Sequence, residues 1–242
     1  MFITRQHLTL LGIGGLAIFG ASACNLSVDL GTDGSGTAQT TTYDFDNFTE
    51  VDIADAFEAT IIVTDGPPTV EITLDDNLFD QLEVSVDNDE LKIEMDGINI
   101  DFNVDPTIKI TMPQLTELDI SGAVDATVDN AGGDLKVDIS GASNLKIDGR
   151  LDSLALDGSG ASSIEYEGVA DEVNLDISGA STISFDNADV GTANVDLSGS
   201  SDATFDKLDQ LSGEISGASS VDVPEETDVS VATSGAASVD RN

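Results

Sequence analysis

The chain has 242 residues, of which 47 are acidic and 8 basic, for a net charge of −39. A surface that negative excludes nucleic acid and anionic lipid headgroups as partners drawn in by long-range electrostatics. Hydrophobic residues still make up 40% of the chain and recur periodically, which excludes a disordered acidic tail.

Residues 1–23 read as a signal peptide. Met1–His7 carries Arg5 and no acid, and Leu8–Gly20 is an apolar run of 13 residues, too short to span a bilayer. Cys24 follows Ala21-Ser22-Ala23 and is the only cysteine, so no intramolecular disulfide can form. Two readings share the cut before it. An ordinary cleavage site leaves a free thiol, whereas a lipobox-like site leads to acylation of Cys24. The second is the expectation carried forward: each buried CH₂ contributes ~0.8 kcal/mol, so two or three chains hold a protein at a membrane. Asn25 carries no signal for inner-membrane retention. The expected location is therefore across the inner membrane, lipid-anchored at the outer membrane or cell surface. Cleavage removes Arg5 and makes the charge 7 − 47 = −40. Residues 24–42 are Gly/Ser/Thr-rich and read as the lipidated cysteine and a flexible tether. The domain is expected over 43–242.

Short, mostly alternating β-branched runs follow at Ala59–Val63, Thr69–Leu74, Leu82–Val86, Leu91–Met95 and Thr107–Met112; these predict strands. No helix is predicted. From Leu118 onward a strand and a tight corner repeat. The corner glycines are Gly122, Gly141, Gly160, Gly179, Gly199, Gly217 and Gly235, spaced 19, 19, 19, 20, 18 and 18. Four and two residues before each glycine the chain is mostly apolar, and the position between them is Asp119, Asp138, Asp157, Asp176, Asp196, Glu214 and, in the last unit, Ala232. A serine precedes every corner glycine. Beyond the corner, apolar positions recur four and six residues on, followed by acids at Asp129, Asp148, Glu167, Asp186 and Asp206 and a second predicted corner at Asn130, Gly149, Gly168, Asn187 and Lys207. The last third of each unit shows little pattern. A fixed period of strands without helices predicts stacked coils: an all-β parallel β-helix, or β-solenoid, of ~19-residue coils.

The segments Phe48–Val63, Leu74–Met95 and Met112–Ala123, with the SGAS repeats, resemble the GIN domain, described as an autotransporter-adhesin head domain of bacteria. The resemblance covers residues 45–239. It implies a secreted or lipid-anchored β-solenoid of right-handed coil, and it brings no catalytic residues to carry over.

The only histidine is His7, inside the expected signal peptide, so no histidine chemistry is expected after cleavage. The remaining cations are scattered, which disfavours a polysaccharide lyase. The carboxylates are periodic, whereas glycoside hydrolysis needs a singular pair. No catalytic site and no cofactor are expected. Coils ~4.8 Å apart would set neighbouring aspartates to repel by about 0.9 kcal/mol per pair in water. Ca²⁺ or other cations bridging Asp119, Asp138, Asp157, Asp176 and Asp196 are a weak alternative to a plain solvated face. The function expected is a non-catalytic envelope lipoprotein that acts as a binding or structural module for a glycan or protein. The alternatives are an envelope sensor or regulatory lipoprotein and, after it, a carbohydrate-active enzyme. A homo-oligomer remains open.

Overall fold

Alternation of apolar and polar positions decides where each segment of this chain goes. The structure, a computed structural model, describes residues 31–97 and 99–242; the expected signal peptide and Cys24 lie outside the described residues. The first strands are β1 (Thr32–Asp33), β2 (Ala38–Tyr43), β3 (Glu50–Ile53), β4 (Glu58–Val63), β5 (Thr69–Asp75), β6 (Leu82–Asp87), β7 (Glu90–Met95), β8 (Ile100–Asp101) and β9 (Thr107–Met112). Then come β10 (Glu117–Ile120), β11 (Asp125–Ile139), β12 (Asn144–Gly160), β13 (Ser163–Gly179), β14 (Thr182–Leu197), β15 (Asp202–Ile215), β16 (Ser220–Val223), β17 (Asp228–Thr233) and β18 (Ser238–Arg241). Among the described residues the only helical element is a 3₁₀ turn at Phe79–Gln81.

From β10 onward each coil lies parallel on the one before. Leu118 registers with Val137, Val137 with Leu156, Leu156 with Leu175 and Leu175 with Val195. The result is an all-β solenoid of about seven turns. The inward rows are buried, including Ile120, Ile139, Ile177, Leu197 and Ile215. Gly158 interrupts that row without leaving a hole. The Ile177 side chain leans in until its Cδ1 lies 2.7 Å from where a Gly158 Cβ would stand. The unpatterned third of each coil also faces the core, through Leu135, Leu154, Val173, Ala193 and Leu211 and through Leu151, Ala170, Val190 and Leu208. A register shift between Gly133 and Asp134 breaks the alternation there, which hid this face from a reading by period.

All seven corner glycines have positive φ, from 78° to 107°. The corners also stack backbone on backbone: Ala142 N–H donates to Gly122 O at 2.8 Å and Ala161 N–H to Gly141 O at 2.9 Å. The buried serine is the one two residues after the glycine. The hydroxyls of Ser143, Ser181, Ser201 and Ser219 accept from the N–H of Val124, Ser162, Ser181 and Ser201 in the preceding coil, at 3.1–3.4 Å. The serine before the glycine is less enclosed; Ser178 Oγ reaches Gly158 O only at 3.5 Å. The second predicted corner forms at Asn130 (φ 60°) and Gly168 (φ 130°), but Asn187 and Lys207 have no positive φ. Coil lengths change from 19 to 20 to 18 residues there, and the ladder shifts register after Phe185.

A further coil is disguised ahead of the repeat. Val51, Asp52 and Ile53 register with Leu118, Asp119 and Ile120. Asp55 takes the glycine's place with φ 77°, and its carbonyl accepts from Ala123 N–H at 2.6 Å. Its carboxylate accepts from Met95 N–H at 2.8 Å, which helps hold a non-glycine residue in that conformation.

Antiparallel strands close this end of the solenoid: β6 on β7, β5 on β9 and β2 on β5. The flexible tether expected up to Thr42 therefore stops earlier. Ala38–Tyr43 is a strand of the sheet, and Thr32 and Asp33 pair with Ile100 and Asp101. Asp75 ties this strap down. It is fully buried and accepts N–H bonds from Gly36 at 2.6 Å and from Asn103 and Val104 at 3.0 Å. Burial alone would raise its pKa, but the N–H bonds from Val104, Gly36 and Asn103 outweigh that and hold it below the usual carboxylate value.

Two outcomes follow from this packing. Gly133 has φ 78° and open space around it, so Gly133→Ala meets only the left-handed backbone cost, roughly 1–2 kcal/mol. A Cβ on Gly160 would stand 2.3 Å from Gly141 O, so Gly160→Ala is expected to cost roughly 3–5 kcal/mol, with denaturant melts checking the order. For Asp75 the folded pKa is depressed, so its stabilisation is present at neutral pH and is lost as pH falls through the folded value. Asp75→Asn should remove that acid sensitivity and speed hydrogen exchange at the Gly36, Asn103 and Val104 amides; unchanged exchange would contradict the clamp.

Candidate functional site

The outward position between two buried residues carries the one feature that repeats with charge. Leu118 and Ile120 are buried, so Asp119 between them must face solvent. The parallel register then places like positions side by side. Asp119 adjoins Asp138, Asp138 adjoins Asp157, Asp157 adjoins Asp176, and Asp176 adjoins Asp196. The structure thus brings together all five aspartates singled out in the sequence. It extends the row to Glu214 on one side and through Asp52 to Lys92 on the other. Asp52 and Lys92 fall outside the glycine-anchored repeat. The likeness of Val51-Asp52-Ile53 to Leu118-Asp119-Ile120 was the signal that could have found Asp52.

The second acid row is not continuous, contrary to its even spacing in the sequence. Asp148 adjoins Glu167, but Glu167 adjoins Asn187 and not Asp186. Asn187 Nδ2 donates to Glu167 Oε1 at 3.2 Å. The irregular coil lengths displace the later acids from register.

Within the continuous row the charges are unevenly compensated. Lys136 Nζ lies 2.8 Å from Glu117 Oε1 and 2.6 Å from Asp138 Oδ2, and those two hydrogen bonds raise the lysine's pKa. Asp119 is left out: its Oδ1 is buried and has no hydrogen-bond partner. Its pKa is pushed up to about 6, chiefly by desolvation and then by Asp138, Glu117 and Asp52, with Lys136 opposing. Desolvation, then Asp138 and Asp176, raises Asp157 as well. Desolvation also raises Asp52 against the pull of Lys92.

A shallow depression of roughly 360 Å³ runs along the row, lined by Asp52, Asp119, Asp138, Asp157 and Asp176 with Ser121, Ser140 and Ser159 beside them. Carboxylates and serine hydroxyls offer acceptors along an open slope. Glu117, Asp119 and Asp138 bring three carboxylate oxygens within 4.8 Å of one another. Lys136 already binds two of those three groups, so a cation entering there competes with it.

The family described as "Putative auto-transporter adhesin, head GIN domain" matches residues 47–226. Among solved structures, a "putative adhesin" from Bacteroides fragilis NCTC 9343 superposes with a TM-score of 0.80 at 21% identity, covering 87% of this chain and 100% of that one. One from Parabacteroides distasonis ATCC 8503 gives 0.74 at 18% identity, covering 88% and 100%. A "putative lipid binding protein" from that organism gives 0.68 at 19%, covering 88% and 99%. At these identities the likeness is one of fold. No curated protein matches the chain.

Asp119 supplies a direct test of the row's electrostatics. Its folded pKa lies above its unfolded value, so its ionisation destabilises the fold as pH rises from about 4 through about 6. Asp119→Asn is therefore expected to stabilise at neutral pH, on the order of 1 kcal/mol after allowance for solvent screening. The gain should vanish below pH ~4, where the aspartate is protonated in both states. Denaturant melts of both proteins across pH check it, and a variant less stable at neutral pH would contradict the assignment.

Proposed function

Since the chain belongs to the auto-transporter adhesin head GIN-domain family, we propose that it is a non-catalytic binding module of the bacterial cell envelope. Acylated Cys24 holds it at the outer membrane or cell surface, and the acid row is its binding face. The observation that carries this reading is the row itself: six carboxylates from Asp52 to Asp196, continued by Glu214, in register on an open slope. Such a face accepts hydrogen bonds and attracts cations. Its partner presents ammonium or guanidinium groups, a chemistry shared by lysine-rich protein segments and glycans with free amino groups. Under this reading divalent cations act as diffuse counter-ions and no cofactor is required.

The test of the face is direct binding of oligolysine, a chitosan oligomer and a neutral glucan. The first two should bind, with affinity falling as salt rises from ~0.1 to ~1 M. The double substitution Asp138→Asn, Asp157→Asn should weaken both at least about tenfold, or 1.4 kcal/mol. Tight, salt-independent binding of the neutral glucan would overturn the reading. The anchor is tested separately. Wild-type protein should partition with membranes and Cys24→Ser should release it or block its processing; a wholly soluble wild type with a free thiol would remove the anchor.

A further inference from the structure

Regular coils offer the same surface at every turn, so a selective site has to lie where the repeat breaks. One break is at Gly213. Its register neighbour Val195 is buried, as are Leu118, Val137, Leu156 and Leu175 at the same place in earlier coils. Gly213 instead has φ 125°, and a Cβ there would stand 2.0 Å from Val195 O, so only glycine holds β15 in this conformation. The outward side chains beside it change character. The column next to the acid row runs Lys136, Ala155, Asn174, Asn194, Ser212 and Ser230 in register, so charge gives way to amides and hydroxyls. In the next column Thr192 adjoins Gln210. A hollow of roughly 340 Å³ opens here, lined by Glu172, Thr192, Asn194, Gln210, Ser212 and Asp228. Asp196 and Glu214 stand two residues on from Asn194 and Ser212, on the same side of their strands. The hollow is therefore a neutral polar stripe edged by carboxylates. Among the described residues, Glu172, Asp176, Asp196, Glu214 and Asp228 form no ion pair.

The stripe has hydrogen-bonding capacity to spare. Asn174 Nδ2 donates to Glu172 Oε1 at 2.8 Å and Ser212 Oγ to Asn194 Oδ1 at 3.2 Å. Among the described residues no protein group takes up Asn194 Nδ2, Asn174 Oδ1 or either end of the Gln210 amide. An amide donates and accepts, and so does a sugar hydroxyl, so the two pair in either sense. The carboxylates alongside call for ammonium groups. A lysine-rich segment brings its ammonium on an apolar stem, and the exposed side chains lining the hollow are all polar. An amino sugar carries the ammonium and the hydroxyls on one ring. We infer that the hollow is a subsite for amino sugars, in which Asn194, Gln210 and Ser212 hydrogen-bond ring hydroxyls while Asp196 and Glu214 take the ammonium. Asn194 and Gln210 then decide between an amino-sugar glycan and a lysine-rich segment. The inference rests on the acid row being a binding face, and it adds the selectivity that a bare row of charges lacks.

Direct binding to the purified protein tests this with three probes: a chitosan oligomer, its fully N-acetylated counterpart, and an oligolysine of equal charge. The pH is set so that the amines of both cationic probes are protonated. Wild type should hold the chitosan oligomer at least about tenfold more tightly than either other probe, because the acetylated chain lacks the charge and oligolysine lacks the hydroxyls. Asn194→Ala combined with Gln210→Ala should weaken the chitosan oligomer about tenfold and leave oligolysine within about twofold. Both positions are exposed, so the melting transition should be retained. The subsite is overturned if oligolysine binds as tightly as the chitosan oligomer, or if the double variant loses both probes alike or neither. In each of those results the cationic probes still bind and the acid row remains a binding face. A wild type that binds neither cationic probe removes both readings.

Discussion

Each coil crosses the one before it at a corner where backbone meets backbone. Ala161 N–H donates to Gly141 O at 2.9 Å and Ala180 N–H to Gly160 O at 2.8 Å. A Cβ on Gly141, Gly160 or Gly179 would stand 2.2–2.3 Å from the carbonyl oxygen beneath it, so no other residue fits without moving the coil. Because this contact is made to the backbone, it locks the rotation of each coil over the next. The buried serine two residues later adds a side-chain bond in the same sense, from Ser201 N–H to Ser219 Oγ at 3.1 Å. The apolar rows then have to stack leucine on valine and isoleucine on isoleucine.

The same lock makes the acid row unavoidable. Once Leu118 and Ile120 face inward in register with Val137 and Ile139, Asp119 and Asp138 stand side by side on the outside. The cost is visible at Asp119, whose carboxyl is pushed up to about 6 by desolvation and its acidic neighbours. Lys136 relieves Glu117 and Asp138, but no cation takes the matching place beside Asp157 or Asp176, whose neighbours in that column are Ala155 and Asn174. A row of like charges held this close gains stability when a cationic partner or salt screens it. Folding of this face and its binding of a cationic partner therefore respond to ionic strength in opposite directions, because the same screening weakens both the repulsion along the row and the attraction to the partner.

The ends of a solenoid are where repetition must stop, and the chain treats them differently. Near the N-terminus the sheet turns antiparallel, and the buried Asp75 carboxylate gathers three backbone N–H groups from the strap and from the segment after β8. One ionised group thus holds two segments far apart in sequence. At the far end the coils continue in parallel to β17 and β18, and the outward acid gives way to Ala232.

The sequence by itself determined the period, the inward and outward faces, the corner glycines and the five aligned aspartates. Each of these follows from a local rule: side chains alternate in a strand, and a tight left-handed corner selects glycine. What only the tertiary structure decided lay where neighbours override local pattern. Asp55 replaces a corner glycine because Met95 N–H steadies its carboxylate. Ala38–Tyr43, polar and threonine-rich, becomes a strand because β5 offers it a partner edge. The acids after Glu167 fall out of line because one coil is a residue longer and the next shorter. The serine that is buried, the side chain that fills the gap at Gly158 and the carboxyl that no lysine reaches are set by contacts between coils, which arise only once the chain has wound upon itself.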